Sequence, residues 1–176
     1  MPETFVSERL LFRELLPSDQ DSLFEMDSDP DVHRYLGNTP VQSIDEIKTA
    51  ITMIRKQYEE NGVARMAVIL KGTGEFLGWA GLKLVKQEIN GHTNHYDLGY
   101  RFMKKHWGKG YATEAAKAFV DHGFNMMFLS KINAYADAGN VNSHAVLEKA
   151  GLLKMGTFDD DGVPSVWYEI INPSAL

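Results

Sequence analysis

The clearest periodicity in the chain begins after Ser43, where Ile44, Ile47, Ile51, Ile54 and Tyr58 recur at helical spacing. Ser43 is followed three residues later by Glu46, a capping box that starts the helix there. Upstream, Glu8 to Leu15 is a short apolar run punctuated by arginines and closed by Pro17-Ser18-Asp19. This predicts a first strand, a turn, and a helix capped by Ser18 or Asp19 that runs to about Met26. Downstream, Ala64 to Leu70 and Phe76 to Val85 read as strands joined by the breakers Lys71 to Glu75. The Asn90-Gly91 turn leads to a strand from about His95 to Met103. A helix follows from Gly110 to about Met127, with Ala112, Ala115, Ala116, Phe119 and Gly123 along one side. Lys131 to Asp137 alternates as a strand, and Asn142 to Ala150 is a short helix ended by Gly151. Leu152 to Phe158 and Ser165 to Ile171 are two last strands around Asp159-Asp160-Asp161-Gly162. Antiparallel hairpins with one strand-helix-strand crossover predict an α+β domain. Its mixed, mostly antiparallel central sheet has about seven strands flanked by helices. No repeat, low-complexity tract or proline-rich linker divides residues 1–176, so a single domain is expected.

Composition narrows the class. The chain has no cysteine, which excludes disulfides, thiolate catalysis and cysteine metal sites. The N-terminus carries Glu3 and Glu8 and no apolar core of signal-peptide length, and no stretch approaches the ~18 apolar residues of a membrane span. A soluble cytoplasmic protein with no membrane partner is expected. The formal charge of −6 argues against a nucleic-acid binder and leans toward a cationic substrate.

Candidate chemistry concentrates in Trp107-Gly108-Lys109-Gly110-Tyr111-Ala112-Thr113-Glu114-Ala115, between a predicted strand and helix. Two glycines allow a tight turn with N–H groups pointing one way, and the following helix adds its unpaired N–H groups and the positive end of its dipole. Such a loop suits a pyrophosphate. No Ser or Thr follows Lys109 as in a Walker loop, and no third glycine completes a dinucleotide fingerprint. Taken alone, the turn is also compatible with a strand-to-helix connection that binds nothing.

The run Trp107 to Ala112 resembles the coenzyme A pyrophosphate loop of the GNAT N-acetyltransferases, Gln/Arg-x-x-Gly-x-Gly/Ala, with Trp107 in the Gln/Arg place. Trp-Gly-Lys-Gly-Tyr-Ala-Thr-Glu-Ala is similar to the RimJ/RimL-type branch, the ribosomal-protein N-terminal acetyltransferases and their relatives. Four further segments, in order, resemble the same branch: Ser7 to Arg13 as its first strand, Asp29 to Leu36 as its early helical segment, Leu98-Gly99-Tyr100 before the loop, and Asn140-x-x-Ser143 with Val146 to Leu152.

The resemblance implies a direct transfer of acetyl from acetyl-CoA to a primary amine in a ternary complex. The acetyl donor would lie between two splayed strands, His95–Met103 and Lys131–Asp137. It places Tyr100 where a backbone N–H faces the thioester carbonyl and Phe102 where the strand pairs with the pantetheine arm. Arg101, Trp107, Gly108, Lys109, Gly110, Tyr111, Ala112 and Thr113 complete the coenzyme site. Many relatives have a tyrosine at the Leu147 position that protonates the leaving thiolate. Leucine cannot, and Ser143 is the candidate to take over; a serine there can equally bond local backbone. Asn140 is a candidate pantetheine contact or a local turn residue. Asp97 is the implied base, with Glu169 and His95 as rivals; water chains are a further route. The acceptor is expected among protein N-termini, amino acids, polyamines and aminoglycosides, and the branch implies a possible homodimer. No metal is expected, because the histidines lack ligand spacing and Asp159 to Gly162 lacks the alternating ligands of a calcium loop. The alternative reading is a catalytically silent acyl-CoA-binding sensor.

Overall fold

The computed structural model describes residues 2–175. One sheet of eight strands has the order β1-β2-β3-β4-β5-β6-β8-β7. The strands are β1 Phe5–Val6, β2 Leu10–Arg13, β3 Met66–Leu70, β4 Phe76–Val85, β5 His95–Phe102, β6 Lys131–Asp137, β7 Leu153–Asp160 and β8 Val163–Ile171. The helices are α1 Gln20–Asp27, α2 Ile44–Asn61, α3 Tyr111–Asn125 and α4 Val141–Lys149. The expected α+β architecture stands, with one strand more than expected. The addition is β1, two residues that pair with Leu11 and Phe12 and leave too short a pattern to read.

Side chains alternate across the sheet, so its two faces carry different cores. On one face Leu98 and Phe102 of β5, Ile132 and Ala134 of β6 and Leu82 of β4 pack under Ala115, Ala116 and Phe119 of α3 and Leu147 of α4. On the other, Ala67, Ile69 and Phe76 pack under Leu23 and Met26 of α1 and Ile47 and Ile51 of α2. Each large side chain so buried contributes about 1.5–3 kcal/mol. The Ser43 N–H donates to the Glu46 carboxylate at 3.0 Å, closing the capping box read from the sequence.

The Asp29–Leu36 segment, expected to be helical, is a succession of turns. His33 N–H reaches the Asp29 carbonyl at 3.3 Å, and both Leu36 and Asn38 return to the His33 carbonyl at 3.0 Å. Gly37 and Asn38 then take left-handed φ of 81° and 51°, which ends any helical run. Among the described residues no helix is long and apolar enough to cross a membrane.

Candidate active site

All sheet neighbours except one pair run antiparallel. The exception is β5 with β6, parallel and joined at a single register position, Asp97↔Asn133. By contrast β4 and β5 pair continuously from Val85↔His95 to Gly78↔Phe102. Beyond Asp97 the parallel strands part, leaving a cleft between Tyr100–Phe102 and Tyr135–Asp137. The carboxyl ends of parallel strands are where open sheets bind ligands. Here α3 and α4 start just past the two diverging ends, so both N-termini flank the mouth.

Backbone direction fits a cleft-facing role for Tyr100 and Phe102. Met103 donates its N–H to the Leu77 carbonyl of β4 at 3.0 Å. Alternation along the antiparallel ladder then turns the Phe102 and Tyr100 N–H groups toward β6. Trp107, half-exposed, donates its indole N–H to the Phe102 carbonyl at 2.8 Å and fastens the loop to the strand end.

The loop itself is built for exposed N–H groups. Gly108 and Gly110 hold φ of 74° and 80°, a region that costs an L side chain about 1 kcal/mol or more. Gly110 is the N-cap of α3, and no side chain caps that helix. The N–H groups of Tyr111, Ala112 and Thr113 therefore lack the usual Ser or Asp partner. A Cβ at Gly108 would meet nothing within 4 Å, so the approach is open.

Arg9, which sequence reasoning missed, holds this loop from behind. Its guanidinium donates to the Lys109 carbonyl at 3.0 Å and lies 4.6 Å over the Tyr111 ring. Glu114, one turn into α3, grips Arg9 through both its backbone N–H (2.7 Å) and Nε (2.6 Å), and accepts from the Ser7 hydroxyl at 2.7 Å. Burial works to raise the Glu114 carboxyl, but these donors outweigh it and hold it below the usual range. The only sequence signal was the co-occurrence of the Ser7-Glu8-Arg9 and Thr113-Glu114 segments.

On the α4 side, Asn140 caps the helix by accepting the Ser143 N–H on its Oδ1 at 3.1 Å. Ser143 is half-buried, and its hydroxyl lies 2.9 Å from the Tyr100 hydroxyl, which also reaches the Ser143 carbonyl at 3.1 Å. Leu147 is a core residue at 1% exposure.

The three base candidates do not stand free in the cleft. Asp97 is buried against Arg65, whose Nη2 donates to its carboxylate while Nη1 donates to the carbonyls of Asp97 (2.6 Å) and Gly81. The Arg65 guanidinium lies against Gly99, where a Cβ would come to 2.5 Å of it. Glu169 already accepts on one oxygen from Lys131 (3.2 Å), Asn133 (3.0 Å) and Trp167 (3.1 Å). Burial works to raise it, but these donors hold it below the usual carboxylate range. His95 packs beside Trp167 at 5.3 Å, and burial pushes its pKa down, so it is neutral.

Opposite the glycine loop, the other face of the cleft is aromatic and charged. Trp79 lies between two guanidinium groups, Arg65 at 5.5 Å and Arg101 at 5.1 Å. Arg101 donates to Asp27 of α1 at 2.7 Å, beside buried His33, whose ring is 3.7 Å from the same carboxylate. The 29–38 turns pass over toward the β6–α4 connection, where the Tyr35 ring is 3.4 Å from the place of a Gly139 Cβ. Burial and the nearby Asp160 and Asp97 charges push the Tyr135 phenol up to about 12.

Residues 9–153 match the acetyltransferase (GNAT) domain. The chain is 34% identical over 158 residues to the uncharacterized N-acetyltransferase p20 of Bacillus licheniformis, covering 90% of this chain and 86% of that one. It superposes with a TM-score of 0.80 on a GNAT-family acetyltransferase from Bacillus anthracis, at 27% identity over 97% of this chain and 99% of the other. RimL, a ribosomal alpha-N-protein acetyltransferase in complex with coenzyme A, shares the fold with a TM-score of 0.81 at 16% identity, over 96% and 98% of the two chains.

Proposed function

From the premise that this chain belongs to the GNAT acetyltransferase family, and so is an acetyl-CoA-dependent acyltransferase, we propose that it acetylates a primary amine by direct attack in a ternary complex. The acceptor is a protein N-terminus or a small amine. The observation that carries the reading is the uncapped start of α3. Gly108 and Gly110 in left-handed conformation, with no capping side chain and open space beside Gly108, fit a pyrophosphate. When bound, acetyl-CoA supplies the activated acetyl group. The parting of β5 and β6 beyond Asp97 leaves the β5 edge unpaired for an extended arm.

The residues then divide the work. Gly108 to Thr113 hold the phosphates by backbone N–H groups, and Arg9 keeps the loop turned outward. The Phe102 N–H pairs with the arm, and the Tyr100 N–H stabilises the oxyanion. Ser143, at the positive end of α4, offers a hydroxyl to the sulfur as it leaves. Asp97 and Glu169 are held by cationic and neutral donors, so solvent in the cleft takes the amine proton. The Trp79, Tyr35 and Tyr135 side receives the acceptor.

Calorimetric binding of acetyl-CoA, followed by thiol release over a panel of amines and N-terminal peptides, tests this. Binding with turnover on one acceptor class is expected. Binding without turnover on any acceptor favours the silent sensor, and absent binding overturns the reading.

A further inference from the structure

The geometry points to the Tyr100 side chain as a positioning residue that aims the Ser143 hydroxyl at the departing sulfur. This rests on the acetyl-transfer reading above and adds a side-chain role to a residue otherwise used through its backbone. Tyr100 projects from β5 and Ser143 from the first turn of α4, so their contact bridges the two diverging walls of the cleft.

The phenol has one proton and two acceptors in reach, the Ser143 carbonyl at 3.1 Å and the Ser143 Oγ at 2.9 Å. When it donates to the carbonyl, the serine hydroxyl is free to donate back to the phenol, and its proton points away from the cleft. When it donates to Oγ, the serine proton turns outward and the Oγ lone pair is held. Only the second arrangement offers a hydrogen bond to a sulfur gaining negative charge. Asn140 accepts the Ser143 N–H at 3.1 Å and holds the backbone from which Oγ projects, which leaves the hydroxyl direction for Tyr100 to set. Burial pushes the phenol pKa well up, so Tyr100 keeps its proton throughout and acts as donor, not acid. Leu147 leaves no hydroxyl one turn further along the helix.

The balance closes with water as the only proton carrier. The amine nitrogen forms its bond to the acyl carbon, the carbon–sulfur bond breaks, and its electron pair stays on sulfur. Ser143 Oγ–H donates to that sulfur while Tyr100 O–H donates to Oγ. The nitrogen loses one proton to water and the sulfur gains one from water. Neither hydroxyl changes its net protonation.

The test is a double-mutant cycle on the full chain with acetyl-CoA and the amine found to turn over. Tyr100→Phe removes one oxygen and keeps the ring and the backbone N–H. It should lower kcat about tenfold, the scale of losing one net hydrogen bond that orients Ser143, with KM for acetyl-CoA unchanged. Ser143→Ala should cost at least as much. In the Ser143→Ala background, Tyr100→Phe should cost nothing further, and Ser143→Thr should restore part of the rate. Equal rates for Tyr100→Phe and the parent, or two effects that multiply, overturn the proposal. So does a raised KM with unchanged kcat, which marks Tyr100 as a packing residue of the coenzyme site. An unmutated chain that binds acetyl-CoA but turns over no amine fails the underlying reading, and the proposal with it.

Discussion

The two sides of the cleft are built on different principles. On the side proposed for the coenzyme, the loop from Trp107 to Thr113 would work through its backbone, and its shape follows from two glycines with left-handed φ next to a helix start. On the side proposed for the acceptor, the surface is made of charged and aromatic side chains drawn from α1, the 29–38 turns, β4, β5 and β6. There Arg65 pairs with Asp97, and Arg101 pairs with Asp27 beside His33. A backbone device tolerates drift in side chains and serves a ligand common to many proteins. A side-chain network is sensitive to each member and leaves room for specificity. Substitutions should therefore damage the first side through conformation and the second through uncompensated charge.

The largest effect should come from the acceptor side. Arg65→Met leaves the buried Asp97 carboxylate without its cation, a loss on the order of 3–5 kcal/mol of stability, readable as a large drop in Tm. Asp97→Asn should cost less, because the two carbonyls that Arg65 also engages remain. The same variant separates structure from catalysis: its turnover, measured well below Tm, should keep the pH profile of the parent. A pH profile that loses its acidic limb would return Asp97 to the role of base.

Next comes the coenzyme side. Gly110→Val places a β-branched residue at φ 80°, and its Cβ also approaches Arg9 to 3.4 Å. The loop must leave its conformation, and acetyl-CoA affinity should fall about 100-fold, or roughly 2.7 kcal/mol, while the helices and sheet persist. Arg9→Ala should weaken binding by about tenfold through the same loop. If Gly110→Val binds normally in calorimetry while circular dichroism shows a native fold, the backbone account of this side fails.

The asymmetry also explains what could be read without coordinates. Turn chemistry and periodicity are local, so all seven expected strands, all four helices, and the start of α3 at Gly110 follow from neighbouring residues. The Asp29–Leu36 segment, expected to be helical only from its resemblance to the branch's early helix, goes another way because Val32 and His33 are drawn into the core and Gly37-Asn38 bend the chain. Arg9 with Glu114, 105 residues apart, and Arg65 with Asp97, 32 apart, are invisible to any window of pattern. The Tyr100–Ser143 contact joins two residues that were legible singly but not as a pair. Side-chain partnership across the sheet is a product of packing, and one chain read in order does not display it.

The smallest effect should be a pH dependence confined to the acceptor side. Burial, then the Arg101 charge, lowers the His33 pKa, and the Asp27 carboxylate at 3.7 Å offsets only part of this. The groups facing the ring are thus Asp27 from α1 and Arg101 from β5, with the ring neutral when folded. The unfolded chain binds its proton near the ordinary value of about 6.5, above the folded value. Stability from this group is therefore fully present above pH ~6.5 and declines as pH falls through the window below it. Glu114, held low by Arg9 and Ser7, acts in a separate and more acidic window, below the usual carboxylate range. His33→Gln keeps a polar side chain of similar reach but cannot titrate. Its Tm should vary less than the parent's between pH 7 and pH 5.5, while acetyl-CoA affinity over that range matches the parent's. Equal Tm slopes for the two proteins would show that His33 carries no proton linkage. A change in acetyl-CoA affinity would join the two sides of the cleft that the structure keeps apart.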